Sequence, residues 1–160
     1  MSKYRKGDVF CIMIDDHTCR YFQYIGNDST QLGSNVIRVF KRNYLSKEAI
    51  DFYKVVKDEV DFYAHVVLKV GEKHSIWKKV GNIDYSEMCE IIFRDSSDYG
   101  NPDIQKSKNW WIWKINDDQK KVDEESISIL NNTEIGIVIN PNAILKRLET
   151  GRYQFFYPDF

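Results

Sequence analysis

The stretch 60–82, VDFYAHVVLKVGEKHSIWKKVGN, constrains the fold of this chain more than any other. Aromatic and β-branched side chains dominate residues 62–68, and Gly71 punctuates their end, which predicts a strand. After a polar turn, residues 75–80 read as a second short strand, stopped by Gly81 and Asn82. Two such runs joined by a short glycine-containing loop predict an antiparallel hairpin. Strand-like segments lie on both sides of it, so the hairpin is expected at the centre of a sheet. Trp77, opposite an apolar hairpin residue such as Val66, is expected in the core.

The preceding residues predict a second hairpin. Residues 1–6 read as a frayed start. The run 9–14, VFCIMI, is apolar at every position, which predicts a strand covered on both faces. Asp15, Asp16 and His17 make a turn, and 19–25, CRYFQYI, answers as the partner strand. A third strand is expected at 36–41, VIRVFK. Ser46 reads as the N-cap of a helix over 47–57, with Ala49, Ile50, Tyr53 and Val56 as its apolar stripe.

Further on, short strands are expected at 90–93, 109–115 and 135–139, with 117–125 a surface linker or a capped helix start continued by 126–130. Asn140 and Pro141 open a helix as N-cap and first-turn proline. Ile144, Leu145 and Leu148 form its apolar face, and Gly151 closes it. The tail RYQFFYPDF carries five aromatic residues and is expected to dock on the body. With 160 residues, these elements predict one domain over 1–160. Its class is α+β, a strongly curved and mostly antiparallel sheet with two or three packed helices.

Composition excludes several function classes. The 23 basic and 24 acidic residues nearly cancel, so no global field draws the chain to nucleic acid or an acidic membrane. There is no run of about 18 apolar residues to span a bilayer, and the opening MSKYRKGDVF has no apolar core of a secretory signal. The three cysteines, Cys11, Cys19 and Cys89, have no metal-ligand spacing and read as reduced thiols in a cytoplasmic protein. Neither a paired-histidine metal motif nor a phosphate-cradling glycine loop occurs, and Cys11 lies in an apolar run where a thiol is inert. No enzyme and no cofactor are expected.

Two features point instead to recognition. Residues 95–108, DSSDYGNPDIQKSK, form the richest loop signal in the chain, exposed and without a core face. Next comes NWWIWKI. Strand alternation puts Trp111 and Trp113 on one face, Trp110 and Ile112 on the other. Either these rings pack in the core and beneath the loop, or one meets a partner, as tryptophan often does at binding hot spots. Base or sugar stacking on a tryptophan platform is the alternative reading, weakened by Asp103, Asp117 and Asp118 facing Lys106, Lys108 and Lys114.

The opening KYRKGDVFCIMIDDHTCRYFQYIGND resembles the start of the immunity-protein-26 family of bacterial polymorphic toxin systems. Lys6, Gly7, Asp8, Val9 and Phe10 match its Lys-x-Gly-Asp-hydrophobic strand, and Tyr24, Ile25 and Gly26 its hydrophobic-Gly step. VIRVF at 36–40 is similar in position to the family's third strand. IWKKVGN at 76–82 resembles its Trp-x-hydrophobic-hydrophobic-Gly-Asn step, with Lys79 departing from the apolar pattern. The resemblance covers roughly the first hundred residues. It implies a cytoplasmic bacterial protein that binds and neutralises a cognate toxin; it carries over no catalytic residue and sets no oligomeric state. The partner surface is then expected at Asp95, Asp98, Tyr99 and Asp103, with Trp110, Trp111 and Trp113 behind them. The acidic groups would steer a basic toxin and the rings would anchor it.

Overall fold

In the computed structural model, which describes residues 3–160, the first hairpin forms as expected. Strands β1 (Asp8–Met13) and β2 (Thr18–Asp28) pair antiparallel, with Cys11 opposite Tyr21. Asp15 closes the turn, its Oδ1 accepting the amides of His17 and Thr18 at 2.7 Å each. Phe10 and Ile12 enter one buried cluster and Val9 and Cys11 another, so β1 is covered on both faces. Strand β3 (Ser34–Phe40) pairs with β2, and the two-residue strand β4 (Tyr44–Leu45) caps the start of β2.

The second predicted hairpin does not exist. Strand β5 (Val60–Val66) pairs with β3, and β6 (Trp77–Asn82) pairs with β1. The order β5-β3-β2-β1-β6 puts them at opposite edges, with three strands between them. Between them lies helix α2 (Leu68–Lys73). Gly71 is a packing glycine on this helix: a Cβ there would lie 2.0 Å from the Trp77 ring. Trp77 is buried as expected, donating its indole N–H to the Leu68 carbonyl at 3.0 Å and meeting Phe22 edge-on.

A second sheet follows, where one was expected in all. It consists of β7 (Ile92–Ser96), β8 (Trp110–Lys114), β9 (Lys120–Val122) and β10 (Thr133–Ile135), in the order β10-β7-β8-β9. Only the β10–β7 pair is parallel. The polar KKV of β9 falls in 117–125, expected as a surface linker or a capped helix start, and is a strand instead. A 3-10 helix, Glu124–Asn132, connects β9 to β10.

The helix expected over 47–57 shrinks to α1 (Phe52–Val55), capped by Asp51, whose side chain accepts the Tyr53 amide. Ser46 is no cap, because no helix starts there: its amide donates to the His17 carbonyl at 2.7 Å and its hydroxyl to the Asp16 carbonyl at 3.3 Å. Tyr53 is exposed, not part of an apolar stripe. Helix α3 (Pro141–Thr150) matches its signals: Asn140 accepts the Asn142 amide, proline sits in the first turn, and Gly151 adopts φ 85°. The fold is thus α+β and mostly antiparallel. Bulges at Val9/Phe10, Tyr24/Gly26 and Val39/Phe40 bend the first sheet's strands.

The chain ends are tied down. Of the segment expected to fray, residues 1 and 2 lie outside the described residues. Lys3 and Tyr4 both reach Glu72 at 2.5 Å, and the Tyr4 ring packs on Phe10. The tail docks as expected, by rings and one isolated bridge. Tyr153 lies against Phe62, Tyr157 and Phe160 lie against Trp110, and Lys106 bridges to Asp159.

Candidate functional site

Strand β8 carries both faces of its sheet into the interior. Trp110 is 0% exposed, in a cluster with Val122, Leu130, Tyr157 and Phe160. Trp113 is 3% exposed, in a cluster with Ile25, Val36 and Phe93 that joins the two sheets. Gly136 makes room for it, since a Cβ there would lie 2.2 Å from the Trp113 ring. These two rings therefore cannot touch a partner, and the three-tryptophan stacking platform is not formed. Trp111 remains at the surface, partly covered, its indole N–H donating to Ser97 Oγ at 3.0 Å.

The acidic residues divide in the same way. Asp95 is not in the loop but in β7, where its Oδ1 accepts from Tyr157 Oη at 3.2 Å and from the Ser96 amide at 2.8 Å. Burial pushes its carboxyl above the ordinary range against those hydrogen bonds, and the Tyr157 hydroxyl is raised in turn by burial and by Asp95. Asp98 clamps the loop shut: its Oδ2 accepts from Ser107 Oγ at 2.6 Å and from Asn109 Nδ2 at 3.1 Å. Ser107, 1% exposed, is the hub of the loop. Its hydroxyl also receives the Ser96 hydroxyl and the Asn109 amide, and its carbonyl receives the Trp110 indole N–H.

Tyr99 and Asp103 are the loop residues left for contact. Tyr99 is 42% exposed and braced by Tyr157, ring centroids 5.3 Å apart. Asp103 is exposed with a free carboxylate, its backbone amide donating to Asn101 Oδ1. A rigid loop thus presents one ring and one charge, with Trp111 on the neighbouring strand.

Sequence reasoning missed the most connected carboxylate in the molecule. Asp28, fully buried at the end of β2, accepts from His65, from the Trp113 indole at 2.8 Å, and from the Asn116 and Gln31 amides. Burial alone would raise its carboxyl; the four hydrogen bonds outweigh it and hold it below the usual range. An ionised Asp28 can only accept, so His65 Nε2 carries the proton at 2.9 Å. Burial depresses the His65 pKa, and Nδ1 has no hydrogen-bond partner. Spacing could not reveal this network, because its members come from β2 and the turn after it, β5, β8 and the turn after β8. The Cys11 thiol, pushed up to about 12 by burial, packs with Val9, Cys19 and Tyr21, whereas His65 lies edge-on against Phe93, so the two form no nucleophile–base pair.

Among the described residues, no three His, Cys, Asp or Glu side chains group so as to hold a metal ion, and no helix is long and apolar enough to cross a membrane. No curated protein and no solved structure matches the chain. A family model does match, over the first sheet, β7 and most of the following loop. With residues 5–106 fitting the model described as Immunity protein 26, the chain belongs to that family.

Proposed function

We propose that this protein is a non-enzymatic immunity protein that binds and neutralises a cognate toxin domain in the bacterial cytoplasm. The observation that carries this reading is membership of the Immunity protein 26 family. The contact surface we assign is Tyr99, Asp103 and Trp111. It draws support from an aromatic residue that is exposed yet braced, on a loop whose hydrogen bonds already hold its shape. Preorganisation of that kind lowers the entropy cost of binding. Asp103 would speed association with a basic partner, and the two rings would supply the desolvated anchor. Asp95, Asp98, Trp110 and Trp113 act behind this surface by holding the loop and strand in place.

The test is survival of cells expressing a cognate toxin domain together with this chain. Combined Tyr99→Ala, Asp103→Ala and Trp111→Ala substitution should leave a folded protein, with its Tm lowered by a few degrees because exposed rings and a solvated charge contribute only about 1 kcal/mol. It should weaken toxin binding by at least about 30-fold, the loss of one hot spot. Full protection by a triple variant that melts normally would remove the surface from this face.

A further inference from the structure

Three arginines meet where β7, β10, the end of α3 and the tail come together. Arg94, Arg147 and Arg152 line an open pocket of about 370 Å³ together with Glu134, Tyr153, Phe155 and Tyr157. Among the described residues, none of the three has a carboxylate within ion-pair distance. The buried arginines of the first sheet differ: Arg20 pairs with Asp61, and Arg38 with Glu87. The pocket therefore sets three positive groups against one acid, Glu134, whose carboxyl is raised by burial although Arg147 lies near.

These arginines are held in place with donors to spare. Arg94 uses Nη1 on the Thr133 carbonyl and hydroxyl, at 2.7 and 3.2 Å, while its Nε is buried without a partner. The Arg147 guanidinium carbon lies 3.8 Å from the Phe62 ring centroid and 4.6 Å from that of Tyr153. Contact with both rings and a hydrogen bond to the Tyr153 hydroxyl hold the guanidinium, which still has N–H donors beyond that one and makes no ion pair. A guanidinium edge matches the two oxygens of a carboxylate. Glu134 in the wall disfavours a dianion more than a monoanion, and the aromatic walls suit an aliphatic stem. One wall also belongs to the contact surface described above, because Tyr157 faces the pocket and braces Tyr99.

We infer that this pocket is a carboxylate-binding subsite that receives an acidic side chain of the protein partner. The source of the carboxylate rests on the toxin-binding reading; the pocket's affinity for a carboxylate does not. The surface is then bipolar, with Asp103 facing a basic group of the partner and the arginines facing an acidic one. Such an arrangement fixes the register of docking as well as its rate.

The affinity is tested on the isolated chain, with N-acetylglutamate α-amide as probe and chloride of equal ionic strength as control, reading the arginine Nε–H resonances by NMR. The Arg94 and Arg147 signals should shift saturably with a Kd on the order of 1–10 mM, the range for a ligand of so few atoms. Arg147→Gln with Arg152→Gln should weaken binding about tenfold or more. Arg152→Gln alone, at an exposed position, serves if the double variant melts early. Absence of a saturable shift, or equal affinity in the variants, overturns the subsite. Tighter binding of inorganic phosphate than of the probe overturns its preference for carboxylate. In the survival assay the double variant should lose protection. Full protection by a variant that no longer binds the probe overturns the partner as the source, whereas failure of the Tyr99 surface leaves the titration untouched.

Discussion

The 97–109 loop and the arginine pocket lie on either side of Tyr157, and they treat polarity in opposite ways. The loop is dense in polar residues, yet Ser96, Asp98, Ser107 and Asn109 satisfy one another, and the Trp110 indole closes the arrangement from below. The pocket is assembled from residues far apart in the chain, and among the described residues its guanidiniums form no ion pair, with Glu134 the one acid in the wall. Local polarity in a sequence can therefore mark a segment that folds onto itself. Capacity for a partner shows in charge left unmatched, which only the assembled structure reveals.

Four substitutions sharpen that contrast. The largest effect is expected at Trp110, whose ring lies beneath both the loop and the tail and packs against Tyr157 and Phe160. Trp110→Ala should cost about 3–5 kcal/mol in urea melts, the range for truncating a large core aromatic. A cost below about 1 kcal/mol would mean that loop and tail hold without it. Next comes the pair Asp98 and Asp103. Asp98→Ala strands the buried Ser107 hydroxyl and should cost about 1–3 kcal/mol, with faster amide exchange across the loop. Asp103→Ala, at a solvated carboxylate, should stay within about 0.5 kcal/mol. Equal effects would erase the distinction between a clamp and a contact residue. The smallest effect is expected in the pocket. Arg152→Gln should leave thermal stability within about 0.5 kcal/mol, because the fold makes no ion pair with that charge. A clear destabilisation would show that the pocket's arginines serve the fold.

Much of the first sheet was legible. The fully apolar VFCIMI run foretold a strand covered on both faces, and Asp15 foretold its turn, because each signal acts within a few residues. Helix α3 was equally local, with its cap, proline and closing glycine at fixed offsets. The 60–82 stretch misled for a physical reason. Its two strands were rightly typed, but Gly71 serves the packing of Trp77 on a short helix rather than a turn, and the strands go to opposite edges. A strand's type follows from its own side chains; its partner follows from which edges remain open. Strand β9, short and polar, gave no periodic signal at all.

For the candidate site, Tyr99, Asp103 and Trp111 were legible as surface aromatic and acidic groups, and nothing local separated them from Asp98, Trp110 and Trp113. Alternation along β8 placed two tryptophans on one face and one on the other, but could not tell that both faces were covered. The sequence by itself determined the family, the strand character of its segments, the caps of α3 and the docking of an aromatic tail. Those properties reside in single residues and short spacings. Tertiary structure alone decided which polar groups satisfy one another, around Asp28 and Ser107, and which stay unmatched, at Arg94, Arg147 and Arg152. Hydrogen bonds and ion pairs act over a few ångströms of space, whatever the distance along the chain.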